Sequence, residues 1–329
     1  MIKIIVISDF WTPSEAMNAF NNVFMRGNDN YSEYIEFVDK YPFTHVILLN
    51  SVMPAMSDQI PKSNVLGIAN EPIDFLNIDD NFINYVQKHC KNYIVGKKLK
   101  HYPDEFVSYY PFLCHPWQRE SYFHGITPNK KYFMSMPYSG KDILPGHKYR
   151  KKLINAILKT DLDIHIWGRG CDTLDIKDDK RLMGEFKETH GKIIFEYEFI
   201  IHTENSESDD YISDKLPSCI AYNTIPIYWG AKNVEKYFGD KCCIRLSGDI
   251  DKDMELLTNI HNNKDKYRYN LNNARKELFE GNAYFMKFLY DYWVLNKNMF
   301  GLKNEIKDEI NKNNDVIDDE IENILNQYL

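Results

Sequence analysis

The chain predicts a two-domain α/β protein, each domain a parallel sheet wrapped by helices, with two Rossmann-like halves facing one cleft. Short apolar, β-branched runs recur with helix-like stretches between them, the pattern of βαβ units. The alternation occurs twice, interrupted at 115–131 by the polar, Pro- and Gly-containing stretch HPWQRESYFHGITPNKK. A length of 329 residues suits about two ordinary domains.

The first strand is Ile2–Ser8, in the opening MIKIIVIS. Its apolar run, Ile4–Ile7, is too short for a signal-peptide core or a bilayer crossing, and no other segment approaches that length. The expectation is a cytoplasmic or otherwise soluble protein with no signal peptide or membrane anchor. Pro13–Met25 (PSEAMNAFNNVFM) follows as a helix, with Pro13 at its start, where a missing N–H costs nothing. Val46–Asn50, Val65–Ala69, Tyr93–Val95 and Phe106–Tyr110 are the remaining strands of this half, and Asn81–Cys90 is its second helix. The chain then crosses over, giving domains at 1–126 and 127–300.

In the second half, Tyr132–Met136 is strand-like and His147–Lys159 helical. Asp163–Trp167 alternates as a strand and runs into GRG. Lys192–His202 is a strand, Asp209–Tyr222 a helix, Thr224–Trp229 a buried strand ending at Gly230, and Cys242–Leu246 another strand. Residues 264–300, rich in Tyr and Phe, are helical with one break near Gly281. The segment 301–329 spaces Ile and Leu helically among charges, which predicts a helical C-terminal tail packing one stripe on the body, with homodimer contact through it as the alternative.

Composition narrows the function. A 43% apolar and 14% aromatic chain can build packed cores and is not disordered. A net charge of −8 without a basic stripe argues against nucleic acid as a partner. Six cysteines without a CxxC pair support neither a zinc ribbon nor a redox motif, and fit a reducing compartment. No H-x-x-x-H, G-x-S-x-G or Walker loop occurs. The triplet SDD at 208–210 is similar to a metal-binding D-x-D but reads as a helix cap, so no metal ligands are assigned.

The densest chemistry lies in EFIIHTENSESDDYISDKLPSCIAYNTIPIYWGA (198–231). Asp209 and Asp210 suit a helix start, where the macrodipole favours acids. Lys215 does not, unless an anion binds there. Free backbone N–H groups and an ammonium would then jointly hold a diphosphate, and Asp214 could accept hydrogen bonds from ribose hydroxyls.

In order, Glu204, Asn205, Ser206, Tyr211, Ile212, Ser213, Lys215, Leu216, Ala221 and the run Thr224 to Gly230 resemble the donor-binding signature of the α1,3-fucosyltransferases, glycosyltransferase family 10. Asp214 stands where the family has Glu, and Thr203 where it usually has Phe. The resemblance covers about 130–300 well and the first domain loosely. It implies a GT-B fold, with the donor in the second domain and the acceptor and base in the first. SMPYSGKDILPGHKYRKKLINAIL (135–158) is similar to the segment whose arginine contacts the donor phosphates, here Arg150. A guanidinium suits that work because it can grip two oxygens and never deprotonates.

The implied donor set is therefore Arg150, Glu204, Asn205, Tyr211, Asp214 and Lys215. The implied base is Glu71, in VLGIANEPIDF at a strand's C-terminal end, where ligand-facing groups of parallel sheets lie. The family's serine between Glu and Pro is missing, and Asp9 and Asp74 are competing carboxylates. The implied activity is inverting transfer of fucose from GDP-fucose to a glycan hydroxyl, in α1,3 or α1,4 linkage, with no cofactor or essential metal. Another GDP-sugar donor, or a non-catalytic sugar- or nucleotide-binding protein, are the alternatives.

Overall fold

The β-branched and aromatic runs build two separate sheets, each of six parallel strands. The structure is a computed structural model describing residues 1–24, 30–57, 59–110, 122, 125, 129–185, 196–281 and 283–300. The boundary at 126/127 and the tail 301–329, with the dimer contact assigned to it, lie outside the described residues.

The first sheet contains β1 (Ile2–Ile7), β2 (Ile35–Val38), β3 (His45–Leu49), β4 (Val65–Ile68), β5 (Asn92–Val95) and β6 (Phe106–Ser108), in the order β2-β1-β3-β4-β5-β6. β4 (VLGI) and β5 (NYIV) are buried throughout, so neither alternates apolar with polar residues. Helices α1 (Pro13–Phe24) and α2 (Asp80–His89) flank it, and the Asp79 carboxylate caps α2 by accepting from Phe82 N.

The second sheet contains β7 (Tyr132–Pro137), β8 (Ile164–Trp167), β9 (Leu182–Gly184), β10 (Tyr197–Thr203), β11 (Ile225–Trp229) and β12 (Ile244–Arg245), in the order β12-β11-β10-β7-β8-β9. Around it run α3 (Pro145–Leu158), α4 (Lys215–Ala221), α5 (Glu235–Phe238), α6 (Ile250–Asn262), α7 (Lys264–Tyr267), α8 (Asn272–Phe279) and α9 (Phe285–Leu289). Among the described residues, no helix is long and apolar enough to cross a membrane.

Strand order reverses at β1/β3 in one sheet and at β7/β10 in the other. Open parallel sheets bind ligands outside the carboxyl ends of the strands at such points. One apolar cluster joins Ile4, Val6 and Phe37 of the first sheet to Ile212, Leu216 and Phe238 of the second domain. The same cluster includes Phe285, Phe288 and Tyr292. Residues 285–294, grouped with the second domain by sequence, thus return to the first. There the Tyr292 hydroxyl donates to Asn92 Oδ1 at 2.8 Å, and Trp293 Nε1 donates to the Ser63 carbonyl at 3.2 Å.

Several elements differ from expectation. The predicted helix over 209–222 begins only at Lys215. The region 264–300 is broken more than once, into α7, α8, α9 and a π turn over Tyr290–Val294. Strands β2 and β9 and helix α6 go beyond the predicted set; the strands are edges of four and three residues, too short for a periodic signal.

Candidate active site

The first wall of the site is the carboxyl edge of β1, β3 and β4. β4 runs out through Ala69 and Asn70 to Glu71, whose backbone N–H points to Asn50 Oδ1 at 3.4 Å. Glu71 is partly buried, and burial raises its carboxyl pKa. The Lys215 and Lys141 ammonium groups pull it part of the way back, while Asp214 and Glu204 push it up. All four belong to the second domain, so Glu71 lies within electrostatic reach of that domain's groups.

The second wall is built around Glu204, which follows β10 and has no exposed surface. Its Oε1 accepts from Ser213 N (3.0 Å) and the Tyr228 hydroxyl (3.2 Å). Its Oε2 accepts from Ser213 Oγ (2.7 Å) and Lys215 Nζ (3.2 Å). A carboxylate this deep is tolerated because donors satisfy both oxygens. Two glycines make room for it. A Cβ at Gly230 would lie 2.5 Å from Glu204 Cγ, and one at Gly146 would lie 1.9 Å from the Glu204 carbonyl oxygen. Glu204, expected among the donor contacts, is therefore turned inward, where it holds Lys215.

Lys215 is the first residue of α4, its Nζ tied to Ser213 Oγ (2.7 Å) as well as to Glu204. Asp214 and Asn205 are partly exposed beside it. The irregular stretch 209–214 replaces the expected first turn. Asp210, read as a cap, is buried and accepts from Asn233 Nδ2 (2.9 Å), Lys236 Nζ (3.2 Å) and the Tyr237 hydroxyl. Asp209 is exposed, so the SDD triplet does not converge on one point.

Backbone amides at the helix starts differ from expectation as well. The Lys215 amide is directed at Ser213 Oγ (3.4 Å). In α3, Gly146 N donates to the Asn205 carbonyl, and His147 N and Lys148 N to that of Leu144. These amides at the helix starts are engaged within the chain.

Arg150 is the sixth residue of α3 and 7% exposed. Its Nε donates to Thr203 Oγ1 at 2.7 Å and its Nη2 to the Thr203 carbonyl. The unusual Thr203 thus supplies the hydroxyl that orients the guanidinium. Burial chiefly, with Arg150, Lys141 and Lys215 adding to it and Asp142 opposing, lowers the His147 imidazole to about 4. Three cations therefore act on one imidazole. Lys141, exposed in the loop between β7 and α3, was missed by the sequence reasoning; the available signal was a basic residue next to Gly140, whose φ is +77°, past a strand's carboxyl end.

Tyr211 lies between the walls, 1% exposed. Burial raises its phenol well above the usual range, as do Glu204, Glu71 and Asp214, with Arg150 opposing. Gly96, after β5, packs against it: a Cβ there would lie 2.5 Å from Tyr211 Cβ. The Gly96 carbonyl also accepts from Asp210 N (3.1 Å) and Ser208 Oγ (3.3 Å).

Among the described residues, Glu235, Cys242 and Cys243 bring possible metal-ligand atoms within 4.8 Å of one another. Arg245 Nη2 already donates to both Glu235 oxygens, at 3.0 and 2.8 Å. None of the three is among the expected donor or base residues.

Comparison with known proteins follows this geometry. Residues 142–279 match the C-terminal domain of glycosyltransferase family 10 (fucosyltransferase). A protein of Acanthamoeba polyphaga mimivirus, assigned provisionally as a fucosyltransferase, is 28% identical over 164 residues, 47% of this chain and 26% of that protein. An α-(1,3)-fucosyltransferase of Helicobacter pylori is 25% identical over 112 residues, 33% of this chain and 23% of that protein. The match spans about a quarter of these relatives' length. A solved α1,3-fucosyltransferase shares the fold over 90% of both chains, with a TM-score of 0.50 and 15% identity. Over residues 142–279 the chain is thus similar to the C-terminal domain of glycosyltransferase family 10, and its two six-stranded parallel sheets form a GT-B fold.

Proposed function

We propose that this chain is an inverting fucosyltransferase, moving fucose from GDP-fucose to a hydroxyl of a glycan acceptor in α1,3 or α1,4 linkage. One observation supports it above the others. Glu71, its carboxyl raised by burial, stands at a strand end opposite Lys215 and Lys141. A base on one wall and a cluster of cations on the other is what displacement of a diphosphate by a hydroxyl requires.

Glu71 takes the proton of the acceptor hydroxyl as its oxygen bonds to the anomeric carbon. The bond from that carbon to the diphosphate breaks through an oxocarbenium-like state. Negative charge then grows on GDP, where Lys215, Lys141 and Arg150 stabilise it. Asp214 accepts from the ribose hydroxyls, Asn205 borders the nucleotide and Tyr211 lines the sugar. With the leaving charge met by side chains, the reaction needs no metal ion.

A thermal-shift screen of nucleotide sugars tests the donor. GDP-fucose is expected to stabilise the chain by roughly 2.7 kcal/mol at a hundredfold excess over its dissociation constant, and UDP-sugars not at all. Stabilisation by a different GDP-sugar alone would favour the second reading, to which the shorter Asp214 points. Binding without any GDP release would favour a non-catalytic sugar-nucleotide protein.

A further inference from the structure

Glu71 is held by a residue that no motif of the sequence singled out. Asn50 follows β3 with φ +55°, a left-handed conformation that asparagine tolerates better than most residues. It is 4% exposed, and each polar group of it contacts a different part of the sheet edge. Its backbone N–H donates to the Ile68 carbonyl (2.9 Å), extending the β3–β4 ladder. Its carbonyl accepts from the Tyr93 hydroxyl at 2.6 Å, reaching across from β5. Its side-chain Oδ1 faces Asn70 N (3.0 Å) and Glu71 N (3.4 Å), while Nδ2 donates to Asp9 Oδ1 (2.9 Å) just past β1.

The amide is oriented by its neighbours. The oxygen meets two N–H groups and the nitrogen meets a carboxylate, so a flipped amide would oppose donor to donor and acceptor to acceptor. The tyrosine is fixed in turn: Gly67 of β4 leaves the space its ring fills, since a Cβ there would lie 2.0 Å from Tyr93 Cδ2. Four strands thus meet at one buried residue, whose side chain ties the β4 end to the β1 end and whose backbone bonds to β4 and β5, next to the backbone of the residue read above as the base.

We propose that Asn50 is a positioning residue for Glu71, clasping the β4 end to β1 and β5 so that the carboxylate keeps its place across the cleft. This rests on the reading of Glu71 as the base. Asn50 touches no substrate, so its loss acts on the rate through Glu71 while the donor cations stay in place. A misplacement of about 1 Å can cost on the order of a hundredfold in rate.

The test uses the full chain and GDP-fucose as the probe, with GDP release to water as readout and GDP affinity measured in parallel. Glu71→Gln separates the two claims: release at the wild-type rate, or no release by the wild type, overturns the base assignment itself. If Glu71→Gln is impaired, Asn50→Ala is expected to lower kcat about tenfold to a hundredfold, with KM and GDP affinity unchanged. Asn50→Asp puts two carboxylates face to face, and its kcat should fall too. Adding Asp9→Asn restores one donor facing one acceptor, so the double variant should recover most of that loss without depending on Asn50→Ala folding. Wild-type kcat in Asn50→Ala, or no recovery in the double variant, overturns the clasp while leaving the base assignment standing.

Discussion

Lys215 and Glu204 show how one residue's chemistry depends on another's burial. The ammonium is the cation proposed to meet the diphosphate, and the buried carboxylate beneath it fixes where it points. Lys215→Ala should weaken GDP binding roughly tenfold or more by calorimetry, the equivalent of one charge-assisted hydrogen bond of about 1.5–3 kcal/mol. Glu204→Ala leaves Lys215, Ser213 and Tyr228 without their shared acceptor and should cost about 3 kcal/mol in urea unfolding. Glu71 titrates in the opposite sense to most structural acids. Burial raises its folded pKa above the unfolded one, so its contribution to stability is present below the unfolded value and lost as pH rises through the folded one. Glu71→Gln is therefore expected to unfold at a higher temperature than the wild type at pH 7, with the gap closing toward pH 4. The same shift puts the acid limb of kcat above the ordinary glutamate range, since protonation removes the base.

At the scale of elements, strands were more legible than helix starts. The runs at 2–7, 65–68, 92–95 and 225–229 announce buried parallel strands because both faces are covered, and α1, α2 and α3 fall within two residues of their expected bounds. The helix expected from Asp209 failed for a tertiary reason. Asp210 finds better partners in Asn233, Lys236 and Tyr237 than as a cap, and the Asp210 amide is drawn to Gly96. Asn50 could not be weighed from sequence, because it acts through residues distant along the chain, and Lys141 offered only the faint signal of a basic residue beside Gly140. The return of 285–294 to the first domain was equally hidden, since aromatic content shows burial without saying against what. Tyr292 is fully buried and stacks on Phe288 at 5.6 Å. Tyr292→Ala should cost about 3–5 kcal/mol in urea unfolding, and Tyr292→Phe about 1 kcal/mol for the hydroxyl bond to Asn92.

Across the whole molecule, the account depends on the two walls being held at a fixed separation. Gly96 is a close approach in that arrangement: a Cβ there would meet Tyr211 Cβ at 2.5 Å and Cα at 2.7 Å. Ser206 Oγ adds a bond to Asp74 Oδ2 across the same gap at 3.3 Å. Gly96→Ala should therefore lower kcat for GDP release while GDP affinity, a property of the second wall, changes little. If side-chain cations carry the leaving charge, as proposed, treatment with EDTA is expected to leave the rate of GDP release unchanged. The most direct measurement is the rate of GDP release from GDP-fucose by Glu71→Gln beside the wild type, with GDP affinity determined on the same preparations. A fall of about a hundredfold or more at unchanged GDP affinity is predicted; a variant that releases GDP as fast as the wild type would contradict the assignment of Glu71 as the base.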